Sequence, residues 1–361
     1  MANVNLILNK LKKSKASKTS KKLLLILFNC IILLNISCSK DKNKKEALEF
    51  FTRANYHSKK NEPEKAIPFY NECIEKLPEF ADAYNNRGLT YEKMGDIENA
   101  KLDYERAIQK DKDFFQAKFN LARISLLLNN LDKSTALVEE IKNSSYKDSS
   151  QYYSLLGDIF VRRNNVGQAI TNYEQAIKLK PKNDEALSNY GFAYFQIKEY
   201  AKAIEQLEKA LAVNPQSTFA LNNLGLIYSV KEDYTKAKKY LTTANDLDKV
   251  NPIFQNNLGY VLLQTGDLET GKELIEKALA KDGSNAWANR NLGVYYLKSN
   301  NTSKALESFK KAEQLDPSVD KIYYYLGLAT KASNKTEACK YFSIGAKLND
   351  LKCVEELKSC K

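Results

Sequence analysis

Residues 291–296 read Asn291-Leu292-Gly293-Val294-Tyr295-Tyr296, and Ala305, Phe309, Ala312 and Pro317 follow at fixed distances. One period earlier the chain reads Asn257-Leu258-Gly259-Tyr260, and one before that Asn223-Leu224-Gly225-Leu226. The glycines continue outward as Gly191, Gly157 and Gly88 on one side and Gly327 on the other, with five consecutive intervals of 34 residues and one of 69. A glycine inside a helix costs about 1 kcal/mol relative to alanine. Equal spacing of so costly a residue implies a close helix–helix approach that excludes a side chain. An alanine lies twelve residues after most of these glycines, a large apolar residue sixteen after, and a second alanine nineteen after.

This pattern resembles the tetratricopeptide repeat, a helix-turn-helix unit of about 34 residues with a Leu-Gly, Tyr, Ala, Phe, Pro signature. Tyr190, Gly191, Tyr194, Ala203, Leu207, Ala210 and Pro215 carry it as clearly as the stretch around Gly293. The resemblance implies an all-α fold, a right-handed superhelical α-solenoid of about nine helix-turn-helix units with a C-terminal cap helix. Repeats are expected to start at residues 47, 81, 115, 150, 184, 218, 252, 286 and 320, filling 47–349, with the cap over 350–361. Two repeats are irregular. The third has Ala122, Ser125 and Ser134 in place of the signature Gly, Tyr and Ala and is followed by an extra residue near Ser149, so a looser joint is expected there. The ninth loses one residue in its turn.

Composition narrows the function. With one histidine, His57, in 361 residues, there is no imidazole pair for a zinc site, and a catalytic relay would rest on a single ring. His57 falls at repeat position 11, a core or groove place. No enzyme activity, metal or cofactor is expected. The formal charge of +12 suggests nucleic acid until it is located: seven of those charges are lysines of residues 1–37, which hold no acid. Elsewhere the charges are dispersed along helix faces, and most tyrosines fall on core positions, so a nucleic-acid partner is not expected.

The N-terminus has the form of an export signal, with a lysine-rich n-region over 1–22 and an apolar h-region over 23–36 interrupted by Asn29, Cys30 and Asn35. That run falls short of the roughly twenty apolar residues needed to span a bilayer. Ser37-Cys38 directly after it resembles a bacterial lipoprotein cleavage box, although Asn35 stands where that family prefers leucine. The resemblance implies removal of 1–37, a lipid on Cys38, a short tether over 38–46, and a location at the outer membrane, facing the periplasm or the cell surface.

Each first helix carries a core stripe at positions 4, 7, 8 and 11 and a second stripe at 2, 5, 6, 9 and 12. In tetratricopeptide arrays the second stripe lines the concave groove. Position 6 holds Asn86, Asn120, Asn189, Asn223, Asn257 and Asn291, a column of amides able to bind a peptide backbone without reading its side chains. This ladder resembles the array of O-linked N-acetylglucosamine transferase, and asparagine there is also common in ordinary tetratricopeptide sequences. Toward the C-terminus, positions 2 and 9 turn apolar: Phe219, Ile253 and Trp287, then Phe192, Leu226, Tyr260 and Val294. If they face the groove they form an apolar strip of the kind that marks interaction sites; otherwise they pack within the superhelix. No three consecutive repeats supply the paired Lys and Asn with downstream basic residues of the chaperone-tail clamp.

Cys73 falls at the small-residue position 27 and is expected buried and inert. Among the C-terminal cysteines, Cys353 and Cys360 are seven residues apart on the expected cap, a rise of about 10.5 Å, beyond the ~7 Å Cα limit for a disulfide. A hairpin of the last repeat helix and the cap turning at Asn349 and Asp350 puts Cys360 opposite Cys339. A Cys339–Cys360 bond is expected, and the arrangement also resembles the ends of other bacterial tetratricopeptide lipoproteins. The sequence thus points to a membrane-tethered, non-catalytic scaffold holding a peptide or partner protein, with assembly or maintenance of a cell-envelope complex as the expected setting. A glycan-binding or enzyme-accessory module at the envelope is the alternative, and it would use the same groove.

Overall fold

Two antiparallel helices per period, joined in the first eight repeats through one left-handed residue, make up the repeat region. The computed structural model describes residues 41–142, 144 and 149–360, and among them there are helices and turns but no strand. The chain divides into two compact units between Lys147 and Asp148, where the third repeat's irregular sequence ends and the 34-residue period is broken. The first unit contains α1 over 41–59, α2 Pro63–Lys76, α3 Ala81–Lys93, α4 Ile97–Lys110, α5 Phe115–Leu127 and α6 Leu131–Ile141. The second contains α7 Ser150–Arg162, α8 Val166–Leu179, α9 Asp184–Gln196, α10 Tyr200–Val213, α11 Thr218–Val230 and α12 Tyr234–Leu247. It continues with α13 Pro252–Gln264, α14 Leu268–Lys281, α15 Ala286–Lys298, α16 Thr302–Leu315, α17 Ile322–Lys331, α18 Lys335–Lys347 and α19 Leu351–Glu356.

Local chemistry sets the turns. Repeat position 15 has positive φ in each of the first eight repeats: Asn61, Asn129, Asn164 and Asn300, Gly95 and Gly266, and against preference Lys198 and Glu232. The next residue caps the second helix. Asp96, Asn130, Asn165, Asp233 and Asn301 each accept from the backbone N–H three residues on, satisfying a donor that the helix start leaves unpaired.

The glycine period finds its reason in packing. A Cβ on Gly259 would lie 2.7 Å from Ile275 Cγ1 and 2.8 Å from the Gly271 carbonyl oxygen, so the two helices of that repeat touch backbone to side chain. The residue sixteen after each glycine forms the core column. It is Tyr104 in the first unit and Tyr173, Leu207, Leu241, Ile275 and Phe309 in the second, and Tyr70 holds the same place after Ala54; none is more than 1% exposed. Burying each such side chain contributes about 1.5–3 kcal/mol. In the third repeat, where Ala122 replaces the glycine, the column residue shrinks to Val138.

Three departures from the sequence reading have physical causes. Residues 41–46, assigned to a tether, are helical and continuous with α1. Lys42 and Glu46 pair at 3.9 Å and Glu46 reaches Lys76 at 3.0 Å, drawing the helix onto α2. The first helix of the ninth repeat starts at Ile322, after left-handed Lys321, and has ten residues. The cap is α19 followed by a 3₁₀ turn, Leu357–Cys360, rather than one helix over 350–361. Cys353 of α19 is fully buried with Ala338 and Phe342, covering the last apolar face of the second unit. The signal segment and Cys38 lie outside the described residues. Among the described residues no helix is long and apolar enough to cross a membrane.

Candidate partner-binding groove

The second unit encloses a half-open cavity of about 1040 Å³. One wall comes from the first helices of successive repeats, through Phe192 of α9, Leu226 of α11, Ile253 of α13 and Trp287 of α15. The opposite border comes from the C-terminal end, through Leu348, Leu351 and Lys352. Leu348, Leu351 and Val354 are exposed, so the cap turns apolar side chains outward as well as inward. Lys352 Nζ lies 3.1 Å from Glu232 Oε1, an ion pair from the cap to the turn of the sixth repeat. The cap therefore bridges back across the groove to a repeat 120 residues earlier.

Four members of the expected apolar strip line this cavity, and Ile253 and Trp287 among them are 51% and 44% exposed. The other three do not. Phe219 is exposed outside the lining and packs edge-to-face on Phe254 at 5.9 Å. Val294 is 2% exposed and belongs to the core shared with Phe309 and Leu326, so it is not a groove residue. Tyr260 lies beneath Arg290, whose guanidinium carbon is 4.9 Å from its ring centroid.

The asparagine column is spent between repeats. In the first unit Asn86 Nδ2 donates to Asn55 Oδ1 at 3.0 Å and Asn120 Nδ2 to Asn85 Oδ1 at 2.9 Å. In the second, Asn189 donates to Asp158, Asn257 to Asn222 and Asn291 to Asn256, each at 2.9 Å. For Asn223 the register puts the shorter Ser188 at the matching position one repeat back, and that hydroxyl donates to the Asp184 carbonyl within its own helix. Asn120, Asn223 and Asn291 are 2%, 9% and 1% exposed and present no free amide row to a ligand. Of the six, Asn257 alone is among the residues lining the cavity, beside Asn256. Amides placed one repeat apart fit one another before they fit a guest.

Several polar groups escaped the sequence reading. Arg87 makes two 2.7 Å bonds to the Asp103 carboxylate, which is buried, and a third to Asn71 Oδ1 at 2.6 Å. Asp158 accepts from Tyr173 Oη at 2.6 Å as well as from Asn189, and burial pushes its carboxyl up to about 6. Arg290 is 4% exposed. A positional signal existed for it: position 5 holds Phe119, Ser154, Ser188, Asn222 and Asn256 in other repeats, and only here a charge.

The singled-out titratable residues are accounted for by packing. His57 Nδ1 and Glu62 Oε2 are 2.6 Å apart, and the imidazole stacks on Phe69 at 5.5 Å. Cys73 is fully buried and its thiol is pushed up to about 11 by that burial. Cys339 and Cys360 are joined by a disulfide with a Cα separation of 5.8 Å. Cys353 is free, its thiol pushed up to about 12 by burial and by Asp350. No cluster of three metal-ligating side chains occurs among the described residues.

Comparison with known proteins agrees with this architecture. Profiles described as tetratricopeptide repeat match residues 81–114, 184–217, 220–251 and 256–320, and one described as TPR repeat matches 157–198. The chain is similar to tetratricopeptide repeat protein 12 of Mus musculus, 28% identical over 122 residues covering 34% of this chain and 16% of that protein. It is also similar to superkiller protein 3 of Schizosaccharomyces pombe, 24% identical over 143 residues covering 38% of this chain and 10% of that one. The chain thus matches only a small part of the length of these relatives. The crystal structure of the APC/C hetero-tetramer Cut9-Hcn1 superposes with a TM-score of 0.71 at 16% identity, over 86% of this chain and 62% of that one. That likeness is one of fold.

Proposed function

The chain belongs to the tetratricopeptide repeat family, and on that premise we propose that it is a non-catalytic scaffold holding a partner protein or peptide segment in the groove of its second unit. The observation that carries this reading is the half-open cavity of about 1040 Å³ with half-exposed Ile253 and Trp287 on its wall. Large apolar side chains in a concave site typically dominate binding energy, at about 2 kcal/mol or more each on truncation. The partner is captured with the wild-type chain and with Phe192→Ala/Ile253→Ala, both at unchanged helical content. Capture should fall at least tenfold in the variant; equal capture would remove the groove from the reading.

We further propose that the scaffold is exported and tethered to the outer membrane of a bacterial cell through a lipid on Cys38, acting in assembly or maintenance of an envelope complex. Support comes from the lysine-rich segment, the apolar run and Ser37-Cys38 in sequence, and from the Cys339–Cys360 disulfide, which suits an oxidising compartment. Replacing Cys38 by Ser should release the chain from membranes. A variant that still fractionates with membranes and carries as much lipid label as the parent would overturn the anchor.

A further inference from the structure

Arg290 is the one arginine among the described residues whose whole side chain is buried, and no carboxylate there pairs with it. Its Nε is buried without a hydrogen-bond partner. The guanidinium carbon instead lies 4.9 Å from the ring centroid of Tyr260, 5.1 Å from that of Trp287 and 5.8 Å from that of Tyr325. Elsewhere the same chain meets the cost of a partly buried guanidinium with an acid: Arg87 with Asp103 at 2.7 Å and Arg123 with Glu92 at 2.6 Å. Aromatic faces offset part of the lost hydration of a cation, but they accept none of its five N–H donors.

The repeat register explains why the buried Nε finds no acceptor at this junction. At position 5 of the two preceding repeats, Asn222 and Asn256 each accept from the position-6 asparagine of the next repeat. At the following junction position 5 is Arg290 and the corresponding residue is Tyr325, so the amide–amide bond is absent and a cation rests on a ring. Arg290 thus joins its neighbours through ring faces alone, with Tyr260 one repeat back and Tyr325 one repeat on.

Its place ties it to the groove. Trp287 sits one helical turn before Arg290, covers its guanidinium and lines the cavity, with Asn256 and Ile322 nearby in the same lining. Arg290 itself does not line the cavity; the half-exposed indole of Trp287 lies against its guanidinium there, so a ligand reaches the cation only where that indole turns aside. The charged residues of the lining are Lys198, Lys321 and Lys352 with Asp320 and Asp350; Lys352 is paired with Glu232 at 3.1 Å and Lys321 lies 4.0 Å from Asp320, while Asp350 accepts from the Lys352 backbone N–H as a helix cap. Lys198 and the buried Arg290 are the cations at this site with no ion pair among the described residues.

We propose that Arg290 receives the carboxylate of one aspartate or glutamate side chain in an extended partner segment, with Trp287 as the lid over it. The inference rests on the groove as partner site and adds the chemistry of the partner: an acidic residue flanked by apolar ones that settle on Ile253 and Phe192.

Trp287 is the only tryptophan, so its fluorescence reports the event. The full-length chain is titrated with acetyl-Phe-Glu-Phe-amide, with the same peptide carrying Gln for Glu, and with acetyl-Phe-Gln-Phe bearing a free C-terminal carboxylate. The Glu peptide should bind at least tenfold more tightly than the Gln peptide and perturb the Trp287 emission. Arg290→Met, at native helical content, should abolish the preference, and Arg290→Lys should keep part of it. Equal affinity of the Glu and Gln peptides, a preference that survives Arg290→Met, tighter binding of the free-acid peptide, or no binding of any of them would each overturn the proposal. The scaffold reading fails separately, when partner capture is insensitive to Phe192→Ala/Ile253→Ala.

Discussion

Asn291 donates through Nδ2 to Asn256 Oδ1 at 2.9 Å, and the two residues are 35 positions apart, one period plus one. Asn257 and Asn222 repeat the relationship at the same distance, as do Asn120 and Asn85 in the first unit. The amide at position 6 thus measures the offset between neighbouring first helices, and a slip by one residue would break every such bond. Asn291→Leu should destabilise the second unit by about 1–3 kcal/mol, because it leaves the Asn256 oxygen buried and unpaired. A loss of stability in urea with unchanged peptide affinity would assign the column to stacking; unchanged stability with lost affinity would return it to the ligand.

Gly259 and Gly167 make a matched pair. Gly259→Ala should cost about 1–3 kcal/mol, since its Cβ would meet the Gly271 carbonyl oxygen at 2.8 Å. Gly167 lies near the start of α8 with nothing within 4 Å of an added Cβ, so Gly167→Ala should stabilise by up to about 1 kcal/mol. Thermal unfolding of both variants checks the signs.

Asp158 gives the second unit a pH dependence. Burial holds its carboxyl at about 6, above the ordinary 3.8, so the folded state binds the proton more tightly than the unfolded one. The stability this contributes is complete below about 4 and is lost as pH rises through about 6. Unfolding free energies at pH 5 and 7.5 should differ less in Asp158→Asn than in wild type, by about 1.4 kcal/mol, one pH unit of the shift. An identical pH difference in the two proteins would mean that the carboxylate is solvated.

Lys198 has φ 62°, in the left-handed region where its Cβ is penalised by about 1–2 kcal/mol. Lys198→Gly should stabilise the unit by about 0.5–1 kcal/mol net of the entropy glycine adds to the unfolded chain. A stability loss on chemical denaturation would show that the lysine side chain contributes more at the cavity border than its backbone costs.

The Cys339–Cys360 bond closes the hairpin of α18 and the cap. Cys339→Ser should lower stability by about 2–4 kcal/mol, concentrated in that hairpin. Peptide mapping without reductant on protein exported through its own signal should recover the linked pair and a free Cys353 thiol; reduced Cys339 would sink the pairing and the oxidising compartment together.

The helix register is legible in the sequence because its signal is local and repeated. Gly259 demands a close approach, Asn300 and Gly266 fit a left-handed turn, and Asn301 caps the helix after its turn. The groove is legible only in part. Position 9 holds Phe192 in the cavity lining but Val294 in the core, because the neighbouring repeat, not the helix itself, decides how far that edge is covered. Arg290 shows in the sequence only as the single charge at position 5, and Asp158 stays hidden because a charge at position 9 breaks no period. The contact of Glu232 with Lys352 cannot be inferred, because nothing local relates residues 120 apart.

That contact has a consequence for how such a chain can change over generations. In most repeat arrays each unit touches only its neighbours, so duplication and loss of whole units are tolerated. Here the cap meets the sixth repeat at 3.1 Å. A 34-residue unit gained or lost between Glu232 and Asp350 would carry Lys352 a full repeat away from its partner and dismantle the wall it forms. Growth on the N-terminal side of Glu232 leaves that distance untouched. A unit gained or lost between the two residues thus breaks their contact, while units N-terminal to Glu232 are free of that constraint.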